Sequence, residues 1–345
     1  MSPMTTTLLI SSLATGTIIT ASSYHWLMAW IGLEINTLSI IPIISKQHHP
    51  RATEAATKYF LTQAAASATI LFSSTLNAWQ TGSWDITQMN YIPSNILLTL
   101  ALAMKLGLAP THFWLPEVLQ GSTMKTALII TTWQKLAPMA LIYQTMNNLS
   151  PTLLFMLAMI STLLGGWGGL NQTQLRKIMA YSSIAHLGWM AAIMPIMPNI
   201  LILNLIIYLL MTTSMFTTLI LSKSKTIQDT MTSWTYSPML ATTMMLTLLS
   251  LGGLPPLTGF LPKWLIMEEL TLQSLIPITT LLAMASLLSL FFYLRLTYTT
   301  SLTLSPNTTS SQHKWRFKSM QTPLLLSMTA PMTILMLPIS PLILQ

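Results

Sequence analysis

From one end of this sequence to the other, apolar runs of about twenty residues follow one another with short polar joints between them. A run of that length fits the hydrocarbon core of a bilayer as a single α-helix. Lipid offers no partner for backbone N–H and C=O groups, so such runs have to close their hydrogen bonds internally, as helices. Composition agrees: 52% of the 345 residues are hydrophobic and 6% are charged, with a mean hydropathy of +0.61. That is too little charge to solvate a globular surface. The sequence therefore reads as an all-α polytopic membrane protein. It contains no cysteine, which excludes disulfides, iron–sulfur clusters and thiolate metal sites within the chain.

Eleven apolar segments are predicted to be transmembrane helices: about 3–21, 24–44, 59–79, 96–119, 124–145, 151–170, 178–194, 200–221, 238–268, 273–298 and 323–344. The segment SKQHHPRATEAATK is read as a polar loop, with His48 and His49 solvated, and SLTLSPNTTSSQHKWRFK as an exposed loop before the last span. The first stretch has no basic n-region and is read as a retained span. GGWGG, Gly165 to Gly169, lacks the spacing of a dinucleotide loop and reads as close helix packing.

Two spans are interrupted. In TLALAMKLGLAPTHFWLPEVL, Thr99 to Leu119, Lys105 lies inside the apolar run and glycine and two prolines follow it. A spanning segment tolerates such breakers, and such a charge, only where it faces protein or a water-filled cavity. A shift of 146 positions lays Gly107, Leu108, Pro110, Leu115 and Pro116 on Gly253, Leu254, Pro256, Leu261 and Pro262, and puts Glu117 opposite Lys263. Paired, glycine/proline-interrupted segments in two halves point to the ion path of a repeat-built transporter. The broken spans are the fourth and ninth, five crossings apart. An odd separation turns the second half over, which predicts inverted five-helix repeats: residues 1–145, residues 146–298, and a 299–345 extension carrying the polar loop and span eleven. Under this pairing Glu34 in span two has its counterpart in span seven, which holds His186.

The basic residues check the count independently. Loops after even-numbered spans hold Lys46, Arg51, Lys58, Lys125, Arg176, Lys177, Lys223, Lys225, Lys314, Arg316 and Lys318, and Arg295 ends span ten on that side. Loops after odd-numbered spans hold no lysine or arginine. The positive-inside rule then puts the N-terminus on the basic side and the C-terminus opposite. It also explains the net charge of +8 without nucleic acid as a partner.

The three remaining lysines, Lys105, Lys135 and Lys263, lie inside predicted spans, as does Glu34. A lysine at the bilayer centre costs about 2.5–3.5 kcal/mol on insertion scales, so four such groups oppose insertion by on the order of 10 kcal/mol. A low-dielectric surrounding disfavours the charged forms of amine and carboxyl alike, which suits groups that must both take up and release protons. Glu34, Lys105, Lys135 and Lys263 are accordingly read as a midplane proton relay, bridged by His112, His186, hydroxyls and water. The competing reading is a static Glu34–lysine ion pair with the other lysines snorkelling to the interface. His112 falls seven residues after Lys105, on the same face of a continuous helix. His186 can equally be a satisfied core histidine. The 26 methionines are scattered without metal-site spacing and read as core filler.

The combination WIGLEINTLSIIPI around Glu34, Lys105 before GLAPTHFWLPEV, Lys135 in TTWQKLAP, RKIMAYSSIAHLGWM and GGLPPLTGFLPKW closely resembles the subunit 2 family of mitochondrial NADH:ubiquinone oxidoreductase, respiratory complex I, of vertebrate type. That family is part of the antiporter-like group; animal subunit 2 lacks the first three of the fourteen spans of bacterial members, which eleven spans would match. The resemblance implies a non-redox, proton-translocating membrane-arm subunit in the inner membrane, driven by NADH oxidation and quinone reduction elsewhere in the complex. It carries the family's glutamate over to Glu34, its broken-helix lysine to Lys105, its central lysine to Lys135 and its distal lysine to Lys263. The basic side becomes the matrix, leaving the C-terminus on the intermembrane side. No cofactor is expected in this chain; NADH, FMN, iron–sulfur clusters and ubiquinone are expected in other subunits. Expected partners are the other membrane-arm subunits, neighbouring antiporter-like ones included, and lipids. An autonomous cation/proton antiporter is the alternative.

Overall fold

The computed structural model describes residues 2–47, 49–302 and 324–339. The helices are α1 (Pro3–Ser22), α2 (Trp26–Ile44), α3 (Pro50–Thr81), α4 (Ile92–Leu106), α5 (Trp114–Gly121), α6 (Met124–Thr131), α7 (Trp133–Thr145), α8 (Pro151–Gly169), α9 (Leu175–Ile193), α10 (Pro198–Ser222), α11 (Ile227–Met231), α12 (Ser233–Tyr236), α13 (Pro238–Gly252), α14 (Phe260–Leu272), α15 (Ile276–Ser301) and α16 (Leu324–Leu335). Among the described residues there is no β-strand, only isolated bridges such as His25 with Asp85. Five helices, α1, α2, α8, α10 and α15, are long and apolar enough to cross a bilayer, and α4, α13 and α16 are shorter apolar helices. Large apolar side chains such as Leu8, Ile18, Phe72, Met284 and Phe291 are exposed, as a lipid-facing perimeter requires.

The chain packs as two compact units, Met1–Leu164 with Ser183–Pro198, and Gly165–Ser182 with Asn199–Gln345. In the first, α1 and α2 cross at paired glycines. A Cβ on Gly16 would come within 2.9 Å of the Gly32 carbonyl, and one on Gly32 within 3.0 Å of the Gly16 carbonyl. Small residues at a crossing let two backbones touch where lipid gives helices no hydrophobic drive to associate. In the second unit GGWGG is helical and packs as expected: Gly166 lies against Leu288 and Ala285 of α15, and Gly169 against Phe292.

The two interruptions share one backbone geometry. Gly107 (φ 81°) and Gly253 (φ 77°) are left-handed, a conformation that favours glycine. Gly107 N–H donates to the Met104 carbonyl (3.2 Å) and Leu108 N–H to Ala103 (2.9 Å); Gly253 N–H donates to Ser250 (2.9 Å) and Leu254 N–H to Leu249 (3.3 Å). These are Schellman caps, which end a helix by satisfying some of its last carbonyls and leaving others open. The following prolines, Pro110 and Pro256, both have cis peptide bonds. Chain direction resumes equivalently, with Leu115 N–H on the His112 carbonyl (3.0 Å) and Leu261 N–H on Thr258 (3.2 Å).

Three local readings change. Nine of the fourteen residues of the predicted loop SKQHHPRATEAATK are in α3, which begins at Pro50, where a proline needs no donor, and His49 caps it by accepting from Arg51 N–H (3.2 Å). The fifth span is two helices, α6 and α7, parted at Thr132 (φ −108°, ψ −72°). No glycine marks that site; Thr132 Oγ1 donates to the Leu128 carbonyl at 2.6 Å, sharing it with the Thr132 N–H (3.0 Å). Short helices α11 and α12 precede the ninth apolar segment, α11 closed by a capping box between Thr226 and Asp229. His48, Lys314, Arg316, Lys318 and the expected exposed loop lie outside the described residues.

Candidate functional site

The Schellman cap at the end of α4 leaves the carbonyls of Lys105 and Leu106 to be satisfied from elsewhere. Gln63 Nε2 on α3 donates to the Lys105 carbonyl (3.4 Å), and the Lys135 ammonium, on the first turn of α7, donates to the Leu106 carbonyl. The Thr132 discontinuity therefore has a consequence: it sets the start of the short helix that presents Lys135 to the break. Lys135 is 3% exposed.

Lys105 is 4% exposed and its Nζ has no hydrogen-bond partner. Lys105 and Lys135 line one small cavity together with Leu33, Asn36 and Thr37 of α2, Tyr59 and Gln63 of α3, Trp114 of α5, Ile130 of α6 and Gln134, Ala137 and Pro138 of α7. Its volume, about 10 Å³, is room for about one water molecule. Glu34 is half-buried one residue from this wall, its Oε2 accepting from Thr37 Oγ1 (3.0 Å). No direct Glu34–Lys105 contact is made. A static Glu34–Lys105 ion pair is thus not formed.

The other predicted residues are placed as follows. His112 sits in the break between α4 and α5, buried, with Nδ1 unpartnered. Since the helix is not continuous there, the same-face argument linking it to Lys105 does not apply. His186 is buried on α9 and is not among the residues lining the cavity. Lys263, in the second unit, is buried on the first turn of α14 and its Nζ donates to the Gly252 carbonyl (2.8 Å). Gly252 stands 146 positions after Leu106, so both broken helices have the same open carbonyl covered by a lysine, from a different segment each time. Sequence reasoning missed Asn36, Tyr59, Gln63 and Gln134. Their signal was polar side chains facing inward on spans that already carry a buried charge, Asn36 two residues after Glu34 and Gln134 next to Lys135.

An all-helical membrane chain with two interrupted helices, one flanked by a buried, unpartnered ammonium, has the build of an ion-translocating membrane subunit. The family described as NADH:quinone oxidoreductase/Mrp antiporter matches residues 23–289, and that described as NADH dehydrogenase subunit 2 C-terminus matches residues 290–344. The chain is 57% identical over 342 residues to NADH-ubiquinone oxidoreductase chain 2 of Xenopus laevis, covering 99% of both, and 56% identical over 345 residues to that of Varanus timorensis, covering 100% of both. A chain of respiratory complex I from Thermus thermophilus shares its fold with a TM-score of 0.83 at 26% identity, over 98% of this chain and 78% of that one. The chain belongs to the NADH-ubiquinone oxidoreductase chain 2 family.

Proposed function

We propose that this chain is a proton-translocating, non-redox subunit of the membrane arm of NADH:ubiquinone oxidoreductase, with Glu34, Lys105, Lys135 and Lys263 as the proton-carrying groups and His112, His186 and water as bridges. The single observation that carries the reading is the Lys105 ammonium, buried and without a partner beside a cavity it shares with Lys135. An amine held for structure would be paired, because an unpaired buried charge is strongly destabilising. Glu34 lies near this cavity, bonded to Thr37 and not to Lys105.

The topology that goes with this reading has eleven crossings in two inverted five-helix repeats, residues 1–145 and 146–298, with 299–345 added. Its support is the matched cap geometry 146 residues apart and the one-sided distribution of basic residues. On this reading the protein lies in the mitochondrial inner membrane, N-terminus to the matrix and C-terminus to the intermembrane side. NADH, FMN, iron–sulfur clusters and ubiquinone then belong to other subunits, and this chain couples to them through its membrane-arm neighbours.

The test is Lys135→Ala in the assembled complex. NADH:quinone turnover and its coupled proton flux fall while assembly survives; unchanged pumping per electron pair removes Lys135 from the relay. The matching family's description also covers Mrp antiporters, and the purified chain in liposomes separates that reading: cation-for-proton exchange by the chain alone would favour an autonomous antiporter.

A further inference from the structure

Four polar side chains on the cavity wall have no role in the relay as described: Asn36, Tyr59, Gln63 and Gln134. Gln63 has a backbone duty, on the Lys105 carbonyl. The other three form a chain of long bonds, Tyr59 Oη donating to Gln134 Oε1 and Gln134 Nε2 to the Asn36 carbonyl, both at 3.4 Å. Asn36 is 2% exposed, yet neither end of its side-chain amide has a hydrogen-bond partner. Its Oδ1 lies towards Gly16 of α1, which leaves Nδ2 as a buried donor with nothing to donate to. Leaving such a donor unmet costs about 1–3 kcal/mol, and a leucine of similar volume would avoid that cost. Asn36 lines the same cavity as the unpartnered Lys105. Two unmet donors beside a space with room for about one water define a polar hydration site, since a buried water satisfies about three neighbouring polar groups.

We infer that Asn36, Tyr59 and Gln134 form a water-binding site that orients one water in the cavity shared by Lys105 and Lys135, and that they are positioning residues for proton passage between the two amines. The inference rests on the relay reading above. Two lysines exchange a proton only within hydrogen-bond reach or through one water. The water accepts from the Lys105 ammonium and from Asn36 Nδ2 through its two lone pairs, and its own hydrogens point to Gln134 Oε1 and to a neutral Lys135 amine. It takes one proton from Lys105 as it gives another to Lys135; the water is regenerated and one positive charge has moved from the first lysine to the second. Tyr59, by donating to Gln134 Oε1, fixes which way that amide faces.

The experiment measures proton flux per NADH oxidised, and its solvent deuterium isotope effect, in assembled complex carrying Asn36→Leu, Tyr59→Phe or Lys135→Ala. Asn36→Leu lowers coupled flux by about tenfold, as loss of orientation at a proton-transfer step does, and raises the isotope effect because proton transfer becomes limiting. Asn36→Ser, which restores one polar oxygen, recovers part of the flux. Tyr59→Phe, which removes one oxygen and no volume, lowers flux several-fold with the same rise in isotope effect; it carries the test if Asn36→Leu fails to assemble. Normal flux and isotope effect in assembled Tyr59→Phe, or in assembled Asn36→Leu, overturn the inference. If Lys135→Ala meanwhile abolishes pumping, the relay stands and only the water site falls; if Lys135→Ala also pumps normally, both fall.

Discussion

The break after α4 and the break after α13 end their helices with the same cap, and differ in what a lysine does there. After α13 there is one lysine, Lys263, and its Nζ satisfies the Gly252 carbonyl at 2.8 Å. The residue matching Lys105 is Leu251, and the residue matching His112 is Thr258, whose hydroxyl donates to the Thr333 carbonyl at 2.5 Å on α16. After α4 there are two lysines. Lys135 arrives from α7 to cover the Leu106 carbonyl, which leaves the Lys105 amine and the His112 Nδ1 uncommitted. A lysine at a helix break is therefore first a structural donor, because an interrupted helix exposes carbonyls that lipid does not satisfy. At the first break one amine, that of Lys105, is left over once the carbonyls are covered.

The sharpest way to break this contrast is Lys105→Met. It removes the uncommitted amine, so proton flux per NADH is expected to collapse while the assembled complex is as heat-stable as before, or more so, because an unpaired buried charge is gone. Persistent pumping in that variant would mean the spare amine is idle. Lys263→Met is expected to do the reverse first, leaving the Gly252 carbonyl unmet at about 1–3 kcal/mol. A lowered melting temperature of the complex, largely restored by Lys263→Arg, is the measurement. Gly253→Ala and Gly107→Ala each force a left-handed alanine at about 1–2 kcal/mol. The second-break variant is expected to be the worse, since its Cβ would come within 2.9 Å of Lys263 Nζ, against 3.1 Å from a Leu115 methyl at Gly107. Equal thermal shifts for the two would remove the distinction between a glycine that seats a lysine and one that does not.

The smallest effect is expected at exposed side chains where the α3 extension and α5 meet. Lys58 bridges Glu54 and Glu117 at 2.6 Å each. The hydrogen bonds that Lys58 donates to Glu117 and Glu54 raise its ammonium from 10.5 to about 12, and the one Glu54 accepts holds its carboxyl below its ordinary 4.5. Lys58, raised on folding, contributes fully below pH 10.5 and loses that contribution as pH rises through about 12. Glu54, depressed on folding, contributes at neutral pH and loses it as pH falls below 4.5 through its folded value. All three groups are solvent-exposed, so Lys58→Met is expected to change thermal stability little at neutral pH and still less in high salt. A large shift would show that α5 is held mainly by this cluster.

Much of this was legible in the chain itself. Helical spans follow from run length and hydropathy, and both breaks follow from Gly107 with Pro110 and Gly253 with Pro256, because a left-handed glycine and a proline act on the backbone locally, whatever surrounds them. The break at Thr132 was not legible, since no glycine marks it and threonines that likewise donate to the carbonyl four residues back, Thr162 and Thr212, sit inside unbroken helices. The α3 extension was hidden by its charges, which read as loop until Glu54, Lys58 and Glu117 are seen to satisfy one another.

Sequence alone determined that Glu34, Lys105, Lys135 and Lys263 would sit within apolar segments, and that two helices would stop short, because transfer of charge into lipid and backbone torsion are properties of single residues and their neighbours in the chain. Only the tertiary structure decided which amine covers which carbonyl. Lys135 reaches Leu106 across 29 residues and Lys263 reaches Gly252 across 11, and no local rule distinguishes either of them from Lys105. Hydrogen-bond partnership depends on distance in space, and packing set those distances.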